Sequence, residues 1–191
     1  MSARPSEEIS EEERRYEDGK DPKVLNIVKV QMIKPRPSTY QTENHLINDQ
    51  YYWEKIGRAD WDSVLGALDV IDGPLWVNAG STWHGTNDRI PEAMANGLKS
   101  SLCLVRPKRI EILVAREGGD FGPARRRVRA RFDLNGMQYG LVVTDPLVER
   151  QYFEIKDGRH SIADGVLCIS LSGIFHEHAH KLVAALITPD M

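Results

Sequence analysis

Arg125, Arg127, Arg129 and Arg131 occupy every second position of a run that leads through Asp133-Leu134 into Asn135-Gly136 and returns over residues 137–144. A guanidinium is permanently charged and presents a planar fork of donors that matches phosphate and carboxylate oxygens. Asn-Gly between two alternating runs is a strong hairpin signal, because both central residues of a type I′ turn need φ > 0. That turn sets Leu134 against Met137, Phe132 against Tyr139, Ala130 against Leu141 and Val128 against Val143, an apolar face that belongs to a core. The period of two gives the other face to Arg125, Arg127, Arg129 and Arg131, opposite Thr144, Val142, Gly140 and Gln138. A guanidinium row beside a residue with no side chain would let a phosphate backbone come close. The same pattern also describes an exposed, charged strand face that guards a sheet edge.

A second chemically dense stretch is the polar loop Asn78-Ala79-Gly80-Ser81-Thr82-Trp83-His84-Gly85-Thr86-Asn87-Asp88-Arg89. Asn87 and Arg89 are residue types that read adenine and guanine edges, and Asp88 could orient Arg89 through a charge-assisted hydrogen bond. Alternatively, Asn87 or Asp88 bonds its own backbone in a turn and Arg89 leads into Pro91. His176, His178 and His180 would share one face of a strand, and imidazole is a zinc, copper or nickel ligand. No neighbouring Cys or Asp supplies a fourth ligand, so exposed histidines ahead of a buried strand are the expectation, with no metal and no cofactor.

Enzyme motifs are lacking: there is no phosphate-binding P-loop, no nucleophile elbow and no HExxH helix. Cys103 and Cys168 lie in apolar runs, which reads as two buried thiols rather than a disulfide framework or a zinc site. The sequence does not exclude an enzyme but does not suggest one.

Charge narrows the partner class. The formal net charge is −3, which argues against a histone-like polycation. Residues 1–21 hold eight acids and four bases, net −4, whereas residues 104–131 hold nine bases and three acids, net +6. A local basic region in a mildly acidic chain indicates a directed binding surface. No apolar run is long enough to span a membrane and no signal-peptide pattern opens the chain, so a cytoplasmic location is expected.

The elements that must position these residues are mostly short strands. Ser10-Glu11-Glu12-Glu13 fits a capping box ahead of a short helix that Gly19 ends. Residues 24–33 read as one strand stopped by Pro35-Arg36-Pro37. Asp60 caps a helix carrying Trp61, Val64, Leu65 and Leu68 on one stripe, with Trp61 in the core. Further strands are expected over 102–105, 110–115, the arginine hairpin, 166–171 and 181–187, with turns at Gly118-Gly119, Thr144-Asp145-Pro146 and Asp157-Gly158. Short strands with helices confined to the first half point to a mainly β, β-rich α+β chain built on a small barrel or sandwich.

Tyr16-Glu17-Asp18-Gly19, Asp21-Pro22-Lys23-Val24-Leu25, Tyr51-Tyr52-Trp53-Glu54-Lys55, Asn87-Asp88-Arg89-Ile90-Pro91, the arginine hairpin, Val143-Thr144-Asp145-Pro146 and Lys181-Leu182-Val183-Ala184-Ala185 together resemble the bacterial dual OB domain-containing proteins. The resemblance implies two OB-like barrels: an amino-terminal region over 1–98 with the acidic leader and a helical insertion, and a carboxyl-terminal barrel over 99–191. Such proteins usually begin with further strands bearing a Leu-Ala-Asn-Ser-Arg-Lys-like motif. Met1-Ser2-Ala3-Arg4-Pro5 resembles a point just past them, so the first barrel is expected to be incomplete at its amino end.

OB-folds commonly bind single strands or oligosaccharides across one face, through a basic groove with aromatic stacking platforms. The expected function is therefore non-catalytic binding of single-stranded nucleic acid, or a phosphorylated nucleotide, in bacterial defence or DNA or RNA transactions. Arg125, Arg127, Arg129 and Arg131 would neutralise phosphates, and Trp83, Asn87, Asp88 and Arg89 would line the site. Tyr40, Tyr51, Tyr52 and Trp53 are further stacking candidates, although the cluster at 51–53 reads more readily as packing. The rival expectation is a protein–protein module whose basic face docks an acidic partner or a second copy of the chain.

Overall fold

A computed structural model describes residues 1–5, 7–118 and 123–191. The capping box is present: Ser10 Oγ accepts from the Glu13 N–H, and the Glu13 carboxylate accepts from the Ser10 N–H, opening α1 (Glu11–Arg14). The stretch expected as one strand is two, β1 (Asn26–Lys29) and β2 (Met32–Pro35). They pair with different partners. β1 runs antiparallel to β4 (Glu54–Arg58), and β2 antiparallel to β3 (His45–Ile47). Asp60 caps α2 (Trp61–Gly66) by accepting from the Ser63 N–H at 2.8 Å. Val64 is the buried residue of that helix. Trp61 is half-buried rather than in the core, with the Arg106 guanidinium 5.8 Å from its ring centroid.

The rest of the chain builds one large sheet, and the molecule is mainly β. Its elements are β5 (Arg89–Pro91), α3 (Glu92–Ala95), β6 (Leu102–Val105), β7 (Ile110–Glu117), β8 (Arg125–Leu134), β9 (Met137–Val143), α4 (Pro146–Phe153), β10 (Gly158–Ile162), β11 (Val166–Leu171) and β12 (His178–Ile187). The strand order is β10-β7-β8-β9-β12-β11-β6, with β5 paired to one end of β12. All pairings are antiparallel except β9 with β12. Of the Gly118-Gly119 turn, Gly118 has φ +96° and Gly119 lies outside the described residues.

The arginine hairpin forms as its turn residues dictate, with Asn135 and Gly136 at φ 53° and 76°. Leu134 pairs with Met137, Phe132 with Tyr139 and Ala130 with Leu141. Phe132 and Tyr139 stack with centroids 5.2 Å apart. On the other face the partners are displaced by two from those expected, because the two-residue turn fixes one register for both faces: Arg129 lies opposite Val142 and Arg131 opposite Gly140, while Gln138 lies opposite Asp133. Inward residues of β7, β8, β9, β11 and β12, among them Ile112, Val128, Ala130, Leu141, Ile169 and Val183, are fully buried in one core.

Two expected turns are elements. Asp145 accepts from the Leu147 and Val148 N–H groups as the N-cap of α4, and Pro146 occupies its first turn, where a missing N–H costs nothing. Gly158 opens β10, which edges the sheet against β7.

Candidate functional site

The loop at residues 78–88 lies on the arginine face and is stapled there by polar side chains. Thr86 and Gly140 exchange backbone hydrogen bonds at 3.2 and 3.0 Å. A Cβ on Gly140 would stand 3.2 Å from the Thr86 nitrogen, so this glycine admits the loop and the space read as open to a phosphate is filled. Asn87, at φ 51°, donates from Nδ2 to the Gln138 carbonyl and from its own N–H to Ser81 Oγ. Asp88 is 4% exposed and accepts from the Thr82 N–H at 2.7 Å and from Thr82 Oγ1 at 2.5 Å. Gly85 makes room for that carboxylate, since a Cβ there would lie 1.7 Å from Asp88 Oδ2.

The four arginines are not equivalent. Arg129 is 5% exposed and forks onto Glu117, Nε to Oε1 at 2.5 Å and Nη2 to Oε2 at 3.0 Å. Its Nη1 donates to the Gly140 carbonyl and lies 3.6 Å from Asp88 Oδ2. One cation between two carboxylates is locally overcompensated, and burying all three would be costly without this mutual pairing. Arg125 and Arg127 are exposed and Arg131 half-buried, and none forms an ion pair among the described residues. Arg126, on the opposite face, binds Asp157 at 2.7 Å and the Phe153 and Ile155 carbonyls, tying the hairpin to the α4–β10 segment.

Loop and sheet together enclose an open groove of about 420 Å³. Arg127, Thr144, Val142 and Leu182 form its floor side, and Thr82, Trp83 and His84 come from the loop. Trp83 is 78% exposed. The structure thus brings Arg127, Arg129 and Trp83 together. Asn87 and Asp88 shape the loop from beneath, and Arg89 leaves it into β5.

The dual OB-containing domain family profile matches residues 1–186. The chain belongs to this family. No curated protein and no solved structure matches it.

Elsewhere in this dual OB-containing protein the remaining candidates are dispersed. Tyr40 is 1% exposed in a second core cluster, its hydroxyl donating to the Ser172 carbonyl at 2.5 Å. Tyr51, Tyr52 and Trp53 line a separate groove of about 1460 Å³ that runs between the β1–β4 pair and α4. His176 sits in a tight turn with Glu177, at φ 45° and 62°, so only His178 and His180 are on the strand. Their ring centroids are 6.4 Å apart, and no three His, Cys, Asp or Glu side chains converge as a metal site among the described residues. Cys103 is buried and Cys168 half-buried, and burial pushes the Cys103 thiol up to about 12. No helix among the described residues is long and apolar enough to cross a membrane.

Sequence reading missed Lys181, which is 1% exposed. Its Nζ donates to Asn78 Oδ1 at 2.8 Å and stands 5.3 Å from the Tyr139 ring centroid. Asn78 Nδ2 donates to the Tyr139 hydroxyl at 3.1 Å, which also accepts from the Leu75 N–H. Burial pushes the Lys181 ammonium down to about 8, with Asp88 opposing. The signal was its parity: Lys181 shares its strand face with Ala179 and Val183, both fully buried.

Proposed function

We propose that this protein is a non-catalytic binding module of the OB type that takes single-stranded nucleic acid, or a phosphorylated nucleotide with the same chemistry, in the groove between the 82–86 loop and the arginine hairpin. The observation that carries this reading is Arg127, an exposed guanidinium without a carboxylate partner among the described residues, in one groove with Trp83, Thr82 and Thr144. A phosphate at Arg127 would lie between Thr82 and Thr144, whose hydroxyls already donate to Asp88 and to the Val183 carbonyl, so the guanidinium supplies the donors, and an exposed indole is the kind of surface on which a base stacks. Arg125 and Arg131 extend the positive charge along the strand, where alternate side chains lie about 6.6 Å apart. Arg129 holds the loop rather than the ligand. The two OB-like units, over 1–98 and 99–191, and a cytoplasmic role in defence or in DNA or RNA transactions belong to the same proposal.

The test is titration of the chain into fluorescent single-stranded DNA, single-stranded RNA and duplex at several salt concentrations, beside Arg127→Ala and Arg125→Ala/Arg131→Ala. Two or three phosphate contacts predict that log affinity falls against log salt with a slope of about −1.4 to −2 on single strands, and that Arg127→Ala flattens it by about 0.7. A well-folded chain that binds none of these ligands sinks the reading. The rival, a protein-docking module, draws support from Ile27, Met32, Ile33 and Ile56, which stand 46–59% exposed on the two small sheets. Sedimentation of the purified chain would reveal a second copy docked there.

A further inference from the structure

The face that carries the arginines does not end at the groove. Leu182 lies in register with Val142 across the β12–β9 pair, and Val142 with Arg129, so Leu182 is on the arginine side. Period two along β12 puts His180 and His178 on that side as well, while Ala179, Lys181 and Val183 point into the core. Arg89 is the cross-strand partner of His180 on β5, and Phe175 bridges to His178, so both share this face.

The four side chains form a compact group. Phe175 is 63% exposed with its ring 6.3 Å from that of His180 and 4.1 Å from that of His176. Arg89 forms no ion pair among the described residues, and its buried Nε has no hydrogen-bond partner. A glycine at position 80 leaves space for the Arg89 side chain to lie across the backbone, 3.2 Å from where a Cβ would be. The charged groups around the cluster are Asp88, already held by Thr82 and Arg129, and Glu177 and Glu92, which meet at the turn through the Glu92 N–H and Glu177 carbonyl. A guanidinium that lacks a dedicated carboxylate, set beside an exposed aromatic ring and imidazole hydrogen-bonding groups, of which burial holds His180 below the ordinary imidazole value, offers a nucleic-acid strand a contact for one phosphate and one base.

We infer that Arg89, His178, His180 and Phe175 form a second contact point for the same strand, so that single-stranded nucleic acid passes from Arg127 to Leu182 and then along β12 to His180 and its cross-strand neighbour Arg89. His180 lies two strands across from Arg127 and, in register, four residues further along the strand direction, about 16 Å in all, which a dinucleotide does not bridge and a longer oligomer does. The inference rests on the groove binding proposed above.

The experiment compares a 5′-phosphorylated thymidine dinucleotide, by NMR titration, with a fluorescent oligothymidine of about twelve nucleotides, within the usual footprint of an OB unit. Arg89→Gln and, at the turn and the first residue of β12, outside both core clusters, Phe175→Ala/His178→Gln are the variants. Both are expected to weaken the oligomer about tenfold and to leave the dinucleotide unchanged, as loss of one stacking and one phosphate contact requires. Arg127→Ala is expected to weaken both ligands. Wild-type oligomer affinity in the Phe175→Ala/His178→Gln variant overturns the second contact while leaving the groove reading intact. An Arg127→Ala chain that binds like wild type, with Arg89→Gln impaired, overturns the groove reading and keeps the site on β5. Binding of neither ligand overturns both.

Discussion

Arg129 and Arg127 stand two residues apart on one face of one strand, and their replacement by alanine should have opposite consequences. The side chain of Arg129 is 6% exposed, and its partners Asp88 and Glu117 are 6% and 12% exposed. Removing the guanidinium leaves two carboxylates without their cation, one of them stapling the 82–88 loop through Thr82. Breaking a buried pair from one side costs about 3–5 kcal/mol. For a chain of this size 1 kcal/mol shifts the midpoint of thermal unfolding by about 2–4 °C, so Arg129→Ala should lower it by about 6–20 °C. Arg127→Ala removes an exposed side chain with no ion-pair partner among the described residues and should stay within about 0.5 kcal/mol of wild type. Differential scanning calorimetry reads the two directly. A triple variant, Arg129→Met/Glu117→Gln/Asp88→Asn, removes every charge of the group and should recover part of the loss. An Arg129→Ala protein that melts within about 2 °C of wild type would refute the assignment of this arginine to folding.

Lys181 should make stability depend on pH at the alkaline side. Its folded-state value lies near 8, below the ordinary 10.5. Between those values the unfolded chain takes up a proton that the folded chain does not, so stability should fall as pH drops from about 10.5 to about 8 and lose nothing further below. The difference between wild type and Lys181→Met across that window, measured by urea unfolding, should be about 3 kcal/mol. Gly85→Ala should displace the Asp88 carboxylate, because the new methyl would coincide with Oδ2. Its melting midpoint should fall by several degrees, and groove binding should fall with it, whereas Gly66→Ala, where nothing lies within 4 Å of the new methyl, should leave binding unaltered.

Local chemistry was readable from the residues, and pairing across the chain was not. Asn135-Gly136, Ser10 with Glu13, and Asp60 each specify a turn or a cap within four residues, and each formed as its neighbours dictate. Alternation also assigned the hairpin faces and most of the register. Alternation alone does not say whether a polar face meets water. Arg129 is covered because a loop some forty residues upstream returns to it and because Glu117, from the preceding strand, reaches its fork. Asp145-Pro146 carries both a turn and a helix-start signature, and the apolar Val148 and Tyr152 decide for the helix by reaching the core. Residues 24–33 held enough β-branched side chains for one strand, but β1 and β2 serve separate two-stranded sheets, so the chain must break between them.

The loop that shapes the groove also has a colloidal role. β12 pairs with β9 only at Leu182 and Val183. The remaining edge of β9 is met by Thr86 at Gly140 and by the Asn87 amide at the Gln138 carbonyl, while the Asp88 carbonyl takes the Lys181 N–H on the β12 side. Residues 86–88 therefore act as a short surrogate strand that plugs a gap in the sheet. A protease that nicked the loop near His84 would release a pair of unsatisfied strand edges next to the core, and edges of that kind template intermolecular β-pairing. The loop that walls the groove is thus continuous with the seal that keeps one copy of this sheet from growing onto the next.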